Sequence, residues 1–451
     1  MDQTQLLQTR SWIQEELRLC IDFWLKHGMD AEHGGVYTCL DRTGRIYSTD
    51  KSVWMQGRCG WIFAYLCRQY GVRQEWLQAS KSCLDFMERC CINRAAGNRM
   101  YFQVTADGRP LRQRRYCFSE GFYAIANAEY YGVTGDADCL NRARSAYHLI
   151  YKLNNGLIQD PTGLGPKGIP ETRCGRTLAN PMIFLNITSV LRRVDPANTE
   201  EYDRHAAECV QQILQYHVKP ELKCTLENVG LNGEFWDDVT EGRIVNPGHD
   251  IECSWFLMEY ANHLGGSRGA KLHAAAESIF NNAINAGWDR QYGGLLYFID
   301  CLGNPPEAYE HDMKLWWPHD EILIASLMAY RDTGKESSTG STQRLPTASS
   351  TSVIAPMANG MGICAGTVCR QSRRQRAALS KVHSICRECC AWWTVCLVSF
   401  WRVRRAKYAV ILSAEAQMGF SRLFVPEVRS NCAKNTKSTR RFCRENEYTN
   451  P

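Results

Sequence analysis

Residues 54–66 read WMQGRCGWIFAYL: a polar residue, Arg58, stands just ahead of an apolar run whose spacing suits a buried helix. The same kind of entrance recurs four times, as CFSEGFYAIANAEYY (117–131), RTLANPMIFLNITSVL (176–191), GHDIECSWFLMEYANHL (248–264) and WPHDEILIASLMAY (317–330). Aligned on the break, each carries a polar residue at the same place: Arg58, Glu120, Asn180, Glu252 and Glu321, at steps of 62, 60, 72 and 69 residues. A step of that length holds a helix, a short hairpin or loop, and a second helix.

The second helices are legible too. Ser11 with Gln14 reads as a capping box, with Ile13, Leu17, Ile21 and Trp24 at helical spacing. Residues 75–91, 140–153, 200–217 and 270–288 complete a set of five. Between helices the chain writes GGVYTCLDRTG (34–44) and much later GGLLYFIDCLGNP (293–305), both read as glycine-turned β-hairpins. Five helical hairpins stacked side by side bury a continuous core. Closed into a ring with a sixth, they make an all-α (α/α)6 barrel, and the sixth entrance should fall about 65 residues past Glu321. In such a ring the five polar positions converge at one end of the axis.

With 44% hydrophobic and 22% charged residues, the 451-residue chain belongs to the soluble globular class. Its first residues, MDQTQLLQTRSW, hold no apolar signal region, and no stretch approaches ~20 uninterrupted apolar residues. A cytoplasmic protein without a membrane span is therefore expected, with its 22 cysteines as reduced thiols. The net charge of +6 hides a split. Residues 337–451 carry 18 Lys+Arg against 5 Asp+Glu and no Asp, which leaves 35 against 42 in residues 1–336. The expected organisation is a barrel over 1–336 and an atypical basic, Cys/Arg/Ser-rich segment over 337–451, disordered or aberrant. Its runs WRVRRAKY (401–408) and KSTRRFCR (437–444) could meet phosphates, but a solvated tail accounts for them as well, and nucleic acid is not an expected partner.

A carboxylate at a helix entrance is served by the helix dipole, worth about 0.3–1 kcal/mol. Arg58 is not, and a cation there calls for an anionic or polar ligand. His249 precedes Glu252 by three residues, so both point the same way from a helical start, and a histidine oriented by a carboxylate can act as a general base. Trp54, Tyr116, Trp255, Trp316 and Trp317 crowd the same entrances. Flat aromatic faces beside charged and amide groups suit a sugar ring. Phosphate-loop and dinucleotide fingerprints are absent from the sequence, as is paired zinc-ligand spacing.

At this point GGVYTCLDRTG, KSVWMQGRCGW, LANPMIFLN, NPGHDIECSW and MKLWWPHDE resemble the N-acylglucosamine 2-epimerase family, also called renin-binding protein, from about residue 9 to about residue 335. The resemblance implies an (α/α)6 barrel that interconverts N-acetylglucosamine and N-acetylmannosamine through the C2 proton of the open-chain sugar. It further implies ATP or another nucleotide as activator, a homodimer, renin as a partner, and no metal or redox cofactor. By the same resemblance His249 is one of two catalytic histidines, and Arg58, Glu252 and Glu321 hold the substrate and tune them. Trp54 and Asn180 match substrate-contact positions, and Glu120 and Tyr116 join them at the rim.

The family's other histidine lies in a Gly-Gly-Pro-Phe-Lys-Gly stretch followed by His-Val-Pro, which this chain lacks. His383 falls near the expected sixth entrance among neighbours that do not match. Residues 337–451 thus read as an altered reading frame, as an isoform missing one base and impaired in activity, or as a basic extension. Three other functions fit the site: a related sugar isomerase or epimerase, glycoside hydrolysis by Glu252 and Glu321, and binding without turnover.

Overall fold

The computed structural model describes residues 3–165 and 168–333. The sixth hairpin, His383 and the segment 337–451 lie outside them. In chain order the helices are α1 (Gln3–Phe23), α2 (Val53–Tyr70), α3 (Gln74–Cys90), α4 (Phe118–Thr134), α5 (Ala137–Asn154), α6 (Ala179–Val194), α7 (Thr199–Gln212), the single turn α8 (Thr240–Arg243), α9 (Pro247–Leu264), α10 (Gly266–Gly287) and α11 (Trp316–Thr333). Short strands lie between them: β1 (Cys39–Leu40), β2 (Ile46–Ser48), β3 (Lys51–Ser52), β4 (Ile92–Asn93), β5 (Arg99–Val104), β6 (Pro110–Gln113), β7 (Gly175–Thr177), β8 (Val218–Lys219), β9 (Cys224–Thr225), β10 (Asn228–Gly230), β11 (Ile244–Val245) and β12 (Ile299–Asp300).

Two kinds of helix alternate. In α2, α4, α6, α9 and α11 apolar residues run almost all round and most of them are buried, as a helix walled on every side requires. In α3, α5 and α7 the sequence is amphipathic and only one stripe is buried. Accordingly α2 packs on α4, α4 on α6, α6 on α9 and α9 on α11, while α3, α5, α7 and α10 each flank an inner neighbour. Met55 of α2 and Trp317 of α11 share one apolar cluster, so the first and last inner helices meet at their entrances. The five outer and five inner helices read from the sequence are all present. Among the described residues no helix is long and apolar enough to cross a membrane, and every cysteine is a free thiol.

Three local expectations fail. Helix α1 begins at Gln3, so Ser11 and Gln14 lie inside it rather than at its cap, although Ile13, Leu17, Ile21 and Trp24 are buried as expected. Arg58, Glu252 and Glu321 sit in the second turns of α2, α9 and α11, because those helices start about five residues earlier than the apolar break suggests. The dipole argument for Arg58 therefore lapses. Residues 34–44 do enter a hairpin: β1 pairs with β2 around Asp41 and Gly44, whose φ is 86°. Residues 293–305 do not, since β12 pairs with β11 from the preceding hairpin.

What the two stretches share is the turn before the strand. Met29 bridges Val36 and Trp288 bridges Leu295, around Gly34–Gly35 and Gly293–Gly294, all four with positive φ. Asp30 Oδ1 accepts the amides of Glu32 and His33, and Asp289 Oδ1 accepts those of Gln291 and Tyr292. Each second oxygen takes a lysine, Lys51 Nζ at 2.6 Å and Lys314 Nζ at 2.6 Å. Lys51 stands two residues before α2, and Lys314 two before α11. The repeated element is an aspartate–glycine turn at the end of an outer helix, locked by a lysine at the start of the next inner one. Lys51 is fully buried and also donates to the Gly34 and Ala106 carbonyls.

Lys51→Met leaves Asp30 buried without its cation and should cost about 3–5 kcal/mol, read from the urea midpoint. Lys314→Met should cost less, because its pair is partly exposed (10% and 18%). Burial pushes the Asp30 and Asp289 carboxyls up, but the lysines and turn amides outweigh it and hold both below their ordinary value. That stabilisation is complete above the ordinary aspartate pKa and is lost as pH falls through the depressed values. The urea midpoint should thus drop below about pH 4, and drop less in Lys51→Met.

Candidate active site

Strand β11 delivers Asn246, whose Oδ1 accepts the amides of Gly248 (3.0 Å) and His249 (3.2 Å), and Pro247 follows at the first helical position. This cap fixes the first turn of α9 and with it His249. The His249 Nδ1 lies 2.5 Å from Glu227 Oε1, and its ring centroid 5.4 Å from that of Trp317. Burial disfavours the imidazolium, but the charge and hydrogen bond of Glu227, with the charges of Glu252 and Asp250, reverse this and push the pKa up to about 9. At neutral pH His249 carries two protons, so it rests as an acid.

Trp317 belongs to the cluster that joins α11 to α2, with Trp54 and Trp316 packed against it. Trp54 meets Phe102 and Phe118 edge-on at 5.0 and 5.5 Å. It also approaches Phe122, over whose ring the Arg58 guanidinium lies at 4.3 Å. Glu321 is 1% exposed and accepts the Trp255 Nε1 proton at 2.7 Å, which ties α11 to α9. His249 thus meets Trp317, Trp54 packs on the Met55–Trp317 cluster, and Arg58 reaches it through Phe122, with the Trp255–Glu321 bond between α9 and α11.

The remaining expected residues part company. Glu120 is buried in the wall: its Oε1 accepts Arg99 Nε at 2.6 Å and the Met100 amide at 2.8 Å. Arg99 in turn meets Asp160 and donates to the carbonyls of Arg114, Arg115 and Tyr116. Glu120 therefore anchors a loop frame, unlike the ligand contact expected from the sequence. Tyr116 and Asn180 line a cleft of about 1150 Å³ with Arg115, Arg176 and Trp236. Tyr116 stacks on Phe118 at 5.6 Å.

The sequence reading paired His249 with Glu252; the hydrogen-bonding carboxylate is Glu227. No spacing rule could have found it, because it comes from an irregular segment 22 residues upstream. It is set in place by the pairing of β10 with β7. Among the described residues no group of three or more His, Cys, Asp or Glu side chains could hold a metal ion.

A histidine bonded to a carboxylate and set beside tryptophans, at one end of stacked helical hairpins, marks the candidate site of an α/α-barrel protein. The N-acylglucosamine 2-epimerase (GlcNAc 2-epimerase) family model matches residues 35–363, and the chain belongs to that family. It is 39% identical to the N-acylglucosamine 2-epimerase of Bos taurus over 335 residues, 72% of this chain and 76% of the bovine one. To that of Rattus norvegicus it is 37% identical over 324 residues, 71% of this chain and 76% of the other. The solved cellobiose 2-epimerase of Bacillus thermoamylovorans B4167 aligns with a TM-score of 0.61 at 20% identity, over 74% of this chain and 86% of that one. That likeness gives the fold as the (α/α)6 barrel, of which the described residues supply five hairpins.

Glu120→Gln breaks a buried ion pair and should lower stability by about 3–5 kcal/mol in urea unfolding. Variant protein that is still folded should keep its KM for sugar, since the carboxylate serves Arg99.

Proposed function

We propose that this chain interconverts N-acetylglucosamine and N-acetylmannosamine by removing and returning the proton at C2 of the open-chain sugar. The observation that carries the reading is the His249–Glu227 pair beneath Trp317, a stored proton beside a flat apolar face. The bovine and rat relatives, named N-acylglucosamine 2-epimerases, support the substrate class.

Epimerisation passes through an enolate of the open-chain aldehyde, planar at C2, which still bears its acetamido group. One group takes the proton from one face, a second returns it to the other, and a cation steadies the oxygen at C1. In this reading the His249 imidazolium is the donor to one face, and Arg58 supplies the positive charge. No group among the described residues is assigned to the opposite face, and His383 lies outside them. Glu252 tunes His249 by its charge, and Glu321 is held by Trp255. Glycoside hydrolysis by Glu252 and Glu321 is disfavoured, since Glu321 is buried and already bonded. Asn180, Tyr116 and Trp54 are the proposed sugar contacts. The family resemblance is also the ground for ATP or another nucleotide as activator, a homodimer, renin as a partner and a cytoplasmic place.

The test is proton exchange in D₂O with the full chain, N-acetylmannosamine and ATP, following the C2 proton by NMR. Loss of that signal with appearance of N-acetylglucosamine is expected. Absence of exchange from folded protein, or release of reducing sugar from an oligosaccharide, would overturn the reading. His249→Asn should slow exchange by about 10²–10⁴-fold. The kcat/KM should fall as pH rises through about 9, where the His249 imidazolium loses its proton. Both directions must share that limb, because the equilibrium between the neutral epimers does not depend on pH.

A further inference from the structure

Resting on the epimerase reading above, we propose that Glu227 is the positioning residue of the acid–base histidine: its carboxylate accepts the His249 Nδ1 proton, so that Nε2 alone exchanges a proton with the sugar carbon. The contact is 2.5 Å, and the Glu227 side chain is almost buried. Both partners are carried on pinned backbone. The Leu178 amide donates to the Glu227 carbonyl at 2.9 Å, and the Glu227 amide to the Ile244 carbonyl at 3.2 Å. One residue earlier, the Leu226 amide donates to the His217 carbonyl, and His217 Nδ1 donates back to the Leu226 carbonyl at 2.8 Å. Burial holds the His217 imidazole neutral, its pKa pushed down to about 4, and the neutral ring keeps its proton on Nδ1 to make that bond. On the other side, Ile244 leads through Val245 to Asn246, the cap that fixes the His249 amide. The carboxylate and the imidazole therefore belong to one hydrogen-bonded frame, with no flexible linker between them.

The charged groups that bear on His249 are Glu227 from the segment before β10 and Glu252 and Asp250 from its own helix; from α11 it meets the Trp317 ring. Burial and the neighbouring charge of Glu227 push the Asp250 carboxyl well above its ordinary value. Glu227 is thus the anion in direct contact. The consequence is a fixed division of labour on the ring. As an acid, His249 loses the Nε2 proton: the enolate electron pair forms the C2–H bond, and the N–H pair stays on nitrogen. As a base, the Nε2 lone pair takes the C2 proton, and that bond's electrons pass into the enolate, toward the oxygen at C1. In both directions Nδ1 keeps its proton and its bond to Glu227. Without that bond the neutral ring could place its one proton on either nitrogen, and half-turned rings would present the wrong atom.

The experiment compares the full chain with Glu227→Gln and Glu227→Asp, using ¹⁵N-histidine NMR and the pH profile of C2 exchange. His249 resonances are assigned by their loss in His249→Asn. The wild type should titrate near 9 and, above that, show the Nδ1–H tautomer. Glu227→Gln should move both the titration and the high-pH limb of kcat/KM toward the ordinary histidine value of about 6.5, with kcat down by about 10²-fold or more and little change in KM. Glu227→Asp should restore most of the limb's position at reduced rate. A wild-type Nε2–H tautomer, or a folded Glu227→Gln whose titration and limb stay put, would overturn the proposal. Should Glu227→Gln not fold, the wild-type tautomer and Glu227→Asp decide it. A wild type that exchanges no C2 proton would instead sink the epimerase reading, while the tautomer and titration still report on Glu227.

Discussion

The buried aspartate–lysine lock is the constraint on which the rest of the barrel depends. A helix–helix connection through an irregular loop leaves the next helix free to slide or rotate about its axis. In the first and fifth hairpins that freedom is removed by one ion pair, Asp30–Lys51 and Asp289–Lys314, inside a turn that only paired glycines tolerate. A Cβ on Gly35 would fall 2.4 Å from Gln56 Oε1, so the turn is pressed against α2 itself. Counting from the lysine gives the payoff in register. Trp54 and Trp317 each lie three residues on, and Arg58 and Glu321 each lie seven on. Identical locks place like residues alike for the aromatic walls, and place unlike residues alike for charge. A cation on one inner helix and a carboxylate on another thus come to equivalent positions around the axis.

Between those ends the middle hairpins are tied differently. Glu129, buried on α4, meets Arg68 of α2 and Arg193 of α6. Asp195 binds Arg144, Tyr202 and Asn198. Arg99 gathers Glu120, Asp160 and three carbonyls. In each case a charged group removed from water has its hydrogen-bonding capacity taken up from more than one element. That is the condition under which burying it is tolerable. The same rule shapes the His249 site, where the buried imidazole is met at Nδ1 by Glu227.

Much of the architecture was legible because helical periodicity survives tertiary context: the five inner and five outer helices stand where the apolar spacing put them. Boundaries were less so. A proline at the start of α9, and two tryptophans and a proline at the start of α11, carry no periodic signal, and so Glu252 and Glu321 looked terminal when they lie a turn inside. The second glycine stretch resembled a hairpin because its residues suit strands, but strand pairing is settled by which edge is near, and β11 was nearer than any return strand. In the site, His249 could be singled out from its neighbours in sequence. Glu227, Asp30, Lys51 and Arg99 could not, since each acquires its role only through a partner 21 or more residues away.

The loop over residues 156–165 has a different character from the locked end, and this matters for anyone who would redesign the protein. Gly156, Gly163 and Gly165 have open space where a side chain would begin, and Arg115 holds the loop through the Gly165 carbonyl. Register is set elsewhere, by the locks, and the acid–base pair is framed elsewhere, by Leu226–Glu227 and Asn246. Exposed positions of this loop such as Leu157 and Leu164 can therefore be exchanged without touching the locks or the acid–base frame. A library confined to this loop would sample new ligand shapes while the catalytic frame is inherited unchanged.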